Sequence, residues 1–171
     1  MKVTSAQASK ILKKLNEQHS ALLSHEEYTR TFNAATGEDP ETLRPEYDFA
    51  SVQEELAELE QKIRKVKHAL NVFNSTQEVT GYGFTIDEML VYLPQLTKRV
   101  AKLSYMKQML PKSRAAASYG DSRNIIDYIY TNYDIKEAEK AYNDAAGELA
   151  KAQNALDYVH VTAAFEIDIE F

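Results

Sequence analysis

The 171-residue chain has no cysteine, no tryptophan, only 5 glycines and 4 prolines, and no long hydrophobic run. Without cysteine there is no disulfide, thiolate nucleophile, iron–sulfur cluster or cysteine-based zinc site. No apolar stretch approaches the roughly 20 residues that a membrane-spanning helix needs. The opening MKVTSAQASKILKKL lacks the apolar core and small-residue cleavage pattern of a secretion signal, so a cytoplasmic protein without membrane contact is expected. P-loop, dinucleotide and nucleophile-elbow motifs are also missing, and no cofactor is expected. A net charge of −6 opposes general attraction to nucleic acid or anionic lipid, leaving a local basic patch as the only route to either.

What is present points to helices. Hydrophobic residues make up 44% and charged residues 27%, a balance typical of a folded, helix-rich domain, and the length fits a single domain with its own core. Within it, YDFASVQEELAELEQKIRKVKHALNVFNST (Tyr47–Thr76) aligns without a gap on YDIKEAEKAYNDAAGELAKAQNALDYVHVT (Tyr133–Thr162). The identities are few: Tyr47/Tyr133, Asp48/Asp134, Lys65/Lys151, Ala69/Ala155, Leu70/Leu156 and Thr76/Thr162. The apolar pattern is stronger. Phe49, Val52, Leu56, Leu59, Ile63, Val66, Leu70 and Phe73 recur at steps of three and four, as do Ile135, Ala138, Tyr142, Ala145, Leu149, Ala152, Leu156 and Val159. Each copy predicts a helix of about seven turns, near 40 Å long. Asp48 and Asp134 are placed as N-caps, with Glu137 completing a capping box and Tyr47 and Tyr133 as hydrophobic staples.

A partner helix precedes each copy. Ser5–Thr31 carries Ala8, Ile11, Leu15 and Leu22, with Phe32 one residue beyond it continuing the spacing. The capping pair Thr85/Glu88 opens a run through Ile86, Met89, Leu93, Leu96, Val100, Leu103 and Leu110, in which Pro94 is expected to cause a kink. Asn33–Asp48 and the basic Pro111–Arg123 read as loops. The alternating IIDYIYT (Ile125–Thr131) and AFEIDIEF (Ala164–Phe171), with the Gly-containing QEVTGYGF, read as extended segments. The expected architecture is one mainly α domain, residues 1–171, of two related halves at about 1–84 and 85–171. These are duplicated long helical hairpins, an antiparallel four-helix bundle or coiled coil, with a small β element of two or three short strands.

KHALNVFNST, TIDEMLVYLPQLTKRVAKL, IIDYIYTNYDI and ALDYVHVT, in that order, resemble the uncharacterised bacterial proteins labelled septicolysin-like, a family of unknown function. The resemblance implies a cytosolic, mostly helical protein with no established activity. The lytic activity evoked by the label does not carry over, because cysteine, a signal peptide and a long apolar insertion segment are missing.

No catalytic or metal-binding residue is singled out. Asp157-x-x-His160 is the nearest approach to the Glu-x-x-His pair of di-iron bundles, and His19, His25 and His68 could converge between antiparallel helices, although structural hydrogen bonding is the simpler role. Two sets remain as candidates. The duplicated helix ends bring up a polar pocket of Asn74, Thr76, His160 and Thr162. The basic runs offer Lys62, Arg64, Lys65, Lys67, Lys112 and Arg114 to a polyanion, but aromatics do not interleave with these charges in sequence, and a solvated helix face paired with Glu55, Glu58 and Glu60 explains the first run more simply. The 11 tyrosines, with Tyr119, Tyr128, Tyr130 and Tyr133 clustered, suit packing or a subunit interface. The function expected is a structural or interaction role through a homo-oligomer, aided by an exposed C-terminal strand able to extend another chain's sheet. A nucleic-acid or nucleotide-binding module comes second, and an enzyme of undetermined class third.

Overall fold

The computed structural model describes residues 1–115 and 127–169. Among them, five helices alternate with short strands in the order β1 (Lys2–Thr4), α1 (Ser5–Thr29), α2 (Pro40–Leu43), α3 (Phe49–Thr76), β2 (Glu78–Val79), β3 (Phe84–Thr85), α4 (Ile86–Lys107), β4 (Lys112–Arg114), β5 (Tyr128–Tyr130), α5 (Ile135–Thr162) and β6 (Ala164–Glu166). The strands form three antiparallel pairs, β1–β6, β2–β3 and β4–β5. No described helix is long and apolar enough to cross a membrane. The contacts gather into two compact units, Met1–Gln77 with Tyr158–Phe171, and Glu78–Asp157.

In the first unit, α1 and α3 run antiparallel. Thr4 caps α1: its hydroxyl accepts from Gln7 N while the Gln7 side chain accepts from Thr4 N, a complete capping box. Asp48 caps α3 by accepting from Ala50 N and Ser51 N. The core joins Val3, Ala8 and Leu15 to Val66 and Ile167, with Leu59, Ile63, Leu70 and Phe165 packed around them. Phe49, expected in this seam, is exposed, because it is the first residue of α3 and no turn precedes it to close over the ring.

β6 pairs with β1 in the register Lys2–Glu166, Val3–Phe165 and Thr4–Ala164. The Phe165 ring stacks on Phe73, with centroids 4.5 Å apart and planes 19° from parallel, and Ile167 is buried. The C-terminal alternation is therefore satisfied inside the chain, since its apolar residues find the helix core and its backbone finds β1. It is not the free strand that the sequence suggested; Glu170 and Phe171 lie outside the described residues.

In the second unit, Thr85 and Glu88 form the second capping box and open α4. α4 presents buried Ile86, Met89 and Leu96, and α5 presents buried Ala138, Ala145, Ala152 and Leu156. α4 continues through Pro94 to Lys107. Asp134 Oδ1 accepts from Lys136 N at 2.8 Å, but the reciprocal bond from Glu137 is not formed. The turn between β2 and β3 needs Gly81 and Gly83, whose φ values of 87° and 65° lie in the region glycine enters without penalty. The basic Pro111–Arg123 segment is not wholly a loop: Lys112–Arg114 is a strand because it pairs with Tyr128–Tyr130. The rest of that segment after Ala115, together with Ile125 and Ile126, lies outside the described residues.

The repeated Tyr-Asp has a second role. Tyr47 donates to the Glu26 carboxylate on α1 at 2.8 Å, and Tyr133 donates to the Met106 carbonyl on α4 at 2.8 Å. Tyr47 thus ties the start of α3 to the last turn of α1, and Tyr133 the start of α5 to the last turn of α4.

Candidate functional site

Among the described residues, no hydrogen bond joins the four residues of the polar pocket expected at the helix ends. Thr76 Oγ1 donates to the carbonyls of Val72 and Phe73, and Thr162 Oγ1 to that of Tyr158. Both hydroxyls are therefore used on their own helices, as threonines near a helix terminus commonly are. The His160 carbonyl accepts from Ser5 Oγ at 3.4 Å. Asn74 Oδ1 is buried without a hydrogen-bond partner among the described residues, but none of the other three residues bonds to it.

Two of the four basic residues named on α3 have carboxylate partners. Arg64 lies 3.9 Å from Glu60, and Lys65 lies 3.6 Å from Asp168. Lys62 lines an open groove of about 440 Å³ between α1 and α3, together with Gln18, Glu55 and Glu58. Lys62 thus shares its groove with two carboxylates; Lys67 is exposed. His19 Nε2 lies 3.4 Å from Glu60. The antiparallel register shown by His19–Glu60 and Gln53–Glu26 puts His25 and His68 toward opposite ends of the hairpin, so the three histidines do not meet. Among the described residues no group of three His, Asp or Glu side chains is placed to hold a metal ion.

Lys112 and Arg114 have a different setting. On β4 they stand opposite Tyr130 and Tyr128, and Lys112 Nζ sits 4.0 Å from the Tyr128 ring centroid and 5.4 Å from that of Tyr130. Aromatic and basic residues that are far apart in sequence thus alternate on one face of the ribbon, which linear spacing could not show.

A second grouping was also missed in the sequence. Tyr92 on α4 donates to Glu148 Oε1 on α5 at 3.4 Å. Phe84 meets Tyr92 edge to face at 5.4 Å, and Tyr82 lies beside Phe84 at 6.2 Å. Burial, followed by the nearby Glu148 charge, raises the pKa of both phenols. The hairpin is held to α4 by the ring contacts of Tyr82, Phe84 and Tyr92, and α4 to α5 by the Tyr92–Glu148 bond; a Tyr at either position gives no such signal alone.

The outer side of α4 is the most distinctive surface. Val91, Pro94, Ala101 and Tyr105 recur at heptad-like steps, interrupted by Lys98, and all are exposed, Val91 by 58% and Tyr105 by 69%. Leu90 adds to this stripe. α4 is therefore apolar on two sides: one covered by its own unit, the other open. A lone surface helix needs only one such side.

No family model and no curated protein matches the chain. A solved structure described as a functionally unknown conserved protein from Corynebacterium diphtheriae matches with a TM-score of 0.62 at 18% identity, covering 97% of this chain and 100% of that one. At that identity the likeness shows the fold.

Proposed function

We propose that this protein is a non-enzymatic interaction module that self-associates, built from two duplicated helical hairpins packed in coiled-coil fashion. The observation that carries the reading is the open apolar stripe of α4, Val91 to Tyr105. Its spacing is that of a helix–helix seam, and leaving large apolar side chains in water forfeits about 1.5–3 kcal/mol for each that a partner could bury. Lys98, in mid-stripe, suits a residue that fixes register at some cost in affinity.

Duplication has its own support. Each half reads strand, capped helix, connection, 28-residue helix, strand. Thr4 and Thr85 begin the capping boxes, and Tyr47 and Tyr133 make matching inter-helix bonds. The halves differ at the connection, where the first has the single turn α2 and the second the β4–β5 ribbon. Common descent with the septicolysin-like proteins is proposed on segment order, without the lytic activity.

The test is a sedimentation series on the purified chain. Val91→Lys combined with Tyr105→Lys, both at exposed positions, is expected to weaken association at least tenfold without loss of helix signal, whereas Lys98→Leu strengthens it. Unchanged association in both variants would remove α4 as the contact.

A further inference from the structure

The β4–β5 ribbon has two unlike edges. Ala115 N–H donates to the Asp127 carbonyl at 2.9 Å and Thr131 N–H to the Pro111 carbonyl at 3.2 Å. These positions, and Ser113 with Ile129 between them, face inward, so Lys112, Arg114, Tyr128 and Tyr130 turn their backbone N–H and C=O groups outward. The outer edge of β4 carries Lys112 and Arg114, charged residues of the kind with which natural sheets discourage further pairing. The outer edge of β5 has no such protection. Tyr128, Ile129 and Tyr130 are 48%, 52% and 63% exposed, and among the described residues no strand pairs with that edge. An isolated two-stranded ribbon is marginal in water.

We propose that β5 pairs antiparallel with β5 of a second copy about a two-fold axis at Ile129, merging two ribbons into a four-stranded sheet. The proposal rests on the self-association argued above and names one of its contacts. The occupant follows from self-complementarity. With Ile129 on the axis, Tyr128 faces the partner's Tyr130 and Tyr130 the partner's Tyr128, and these are the residues whose backbone groups already point outward. A one-residue slip would set outward groups against inward ones and invert the faces. Tyr128, Tyr130 and their counterparts form one aromatic row, with Ile129 against the partner's Ile129 on the reverse face. Lys112 and Arg114 remain on the outer strands, about 14 Å from their counterparts at three strand spacings, beyond the roughly 8 Å Debye length at physiological ionic strength.

The experiment uses the full chain, with Ile129→Lys and Ile129→Glu studied separately and mixed, and mass followed by light scattering across a dilution series. Each variant alone is expected to associate at least tenfold more weakly than wild type. An equimolar mixture of I129K and I129E regains the lost affinity, because opposite charges then face one another across the axis. Wild type that associates while both variants match it, or a mixture that regains nothing, overturns this contact and leaves self-association standing. Wild type that stays a single chain at every concentration overturns both.

Discussion

Phe73→Ala offers a direct measure of how the C-terminal strand is held. Phe73 is 7% exposed near the end of α3 and stacks on Phe165 of β6. Truncating a buried phenylalanine costs about 3–5 kcal/mol, from lost transfer energy and the cavity left behind. In a chain of this size that lowers the melting temperature by roughly 10 °C. Phe165→Ala alone costs less, since that ring is half-buried. An aromatic pair contributes about 0.5–1.5 kcal/mol beyond its burial, so the double variant is expected to be less destabilised than the sum of the singles by that amount. Urea denaturation of the four proteins, followed by far-UV circular dichroism at several protein concentrations, supplies the cycle. Singles that add within about 0.3–0.5 kcal/mol, or a cost below about 1 kcal/mol for Phe73→Ala, would refute the idea that β6 is docked on its own helix pair.

Two further outcomes follow from the second unit. Because burial and Glu148 raise the Tyr82 and Tyr92 pKa values above the ordinary 10.0, the fold favours the protonated phenols. Their contribution is complete below pH 10 and is lost as pH rises through the folded values; thermal melts of Tyr92→Phe should show a shallower alkaline decline than wild type. Thr85→Ala removes the α4 cap and should cost about 1 kcal/mol in urea denaturation. Bonding to Thr85 also lowers the Glu88 pKa below 4.5, so wild type loses a contribution as pH falls below that value, and the variant should lose less there.

The helices were legible because their signals are local. The apolar period of Leu56, Val66 and Phe73, the Thr85/Glu88 pair and the Asp48 cap each lie within a few residues of what they specify. The strands were legible as alternation, but their partners were not. β6 pairs with β1 from the opposite end of the chain, and nothing in AFEIDIEF names KVT as its neighbour. Lys112–Arg114 reads as loop since its strand character comes wholly from Tyr128–Tyr130, and that same pairing sets lysine over tyrosine. The hydroxyl bonds at the helix ends were hidden for a related reason: Thr76 and Thr162 satisfy their hydroxyls one turn back, an option that competes silently with any distant partner. Tyr47 and Tyr133 were recognised as helix starts, while their hydroxyl bonds to the preceding helices needed three dimensions.

The central claim, self-association, is tested most directly by the mass of the purified full chain over a wide concentration range. A weight-average mass rising with concentration from 19.4 kDa toward a multiple of it is the result expected. A mass fixed at 19.4 kDa throughout would contradict it and leave the open face of α4 without a role.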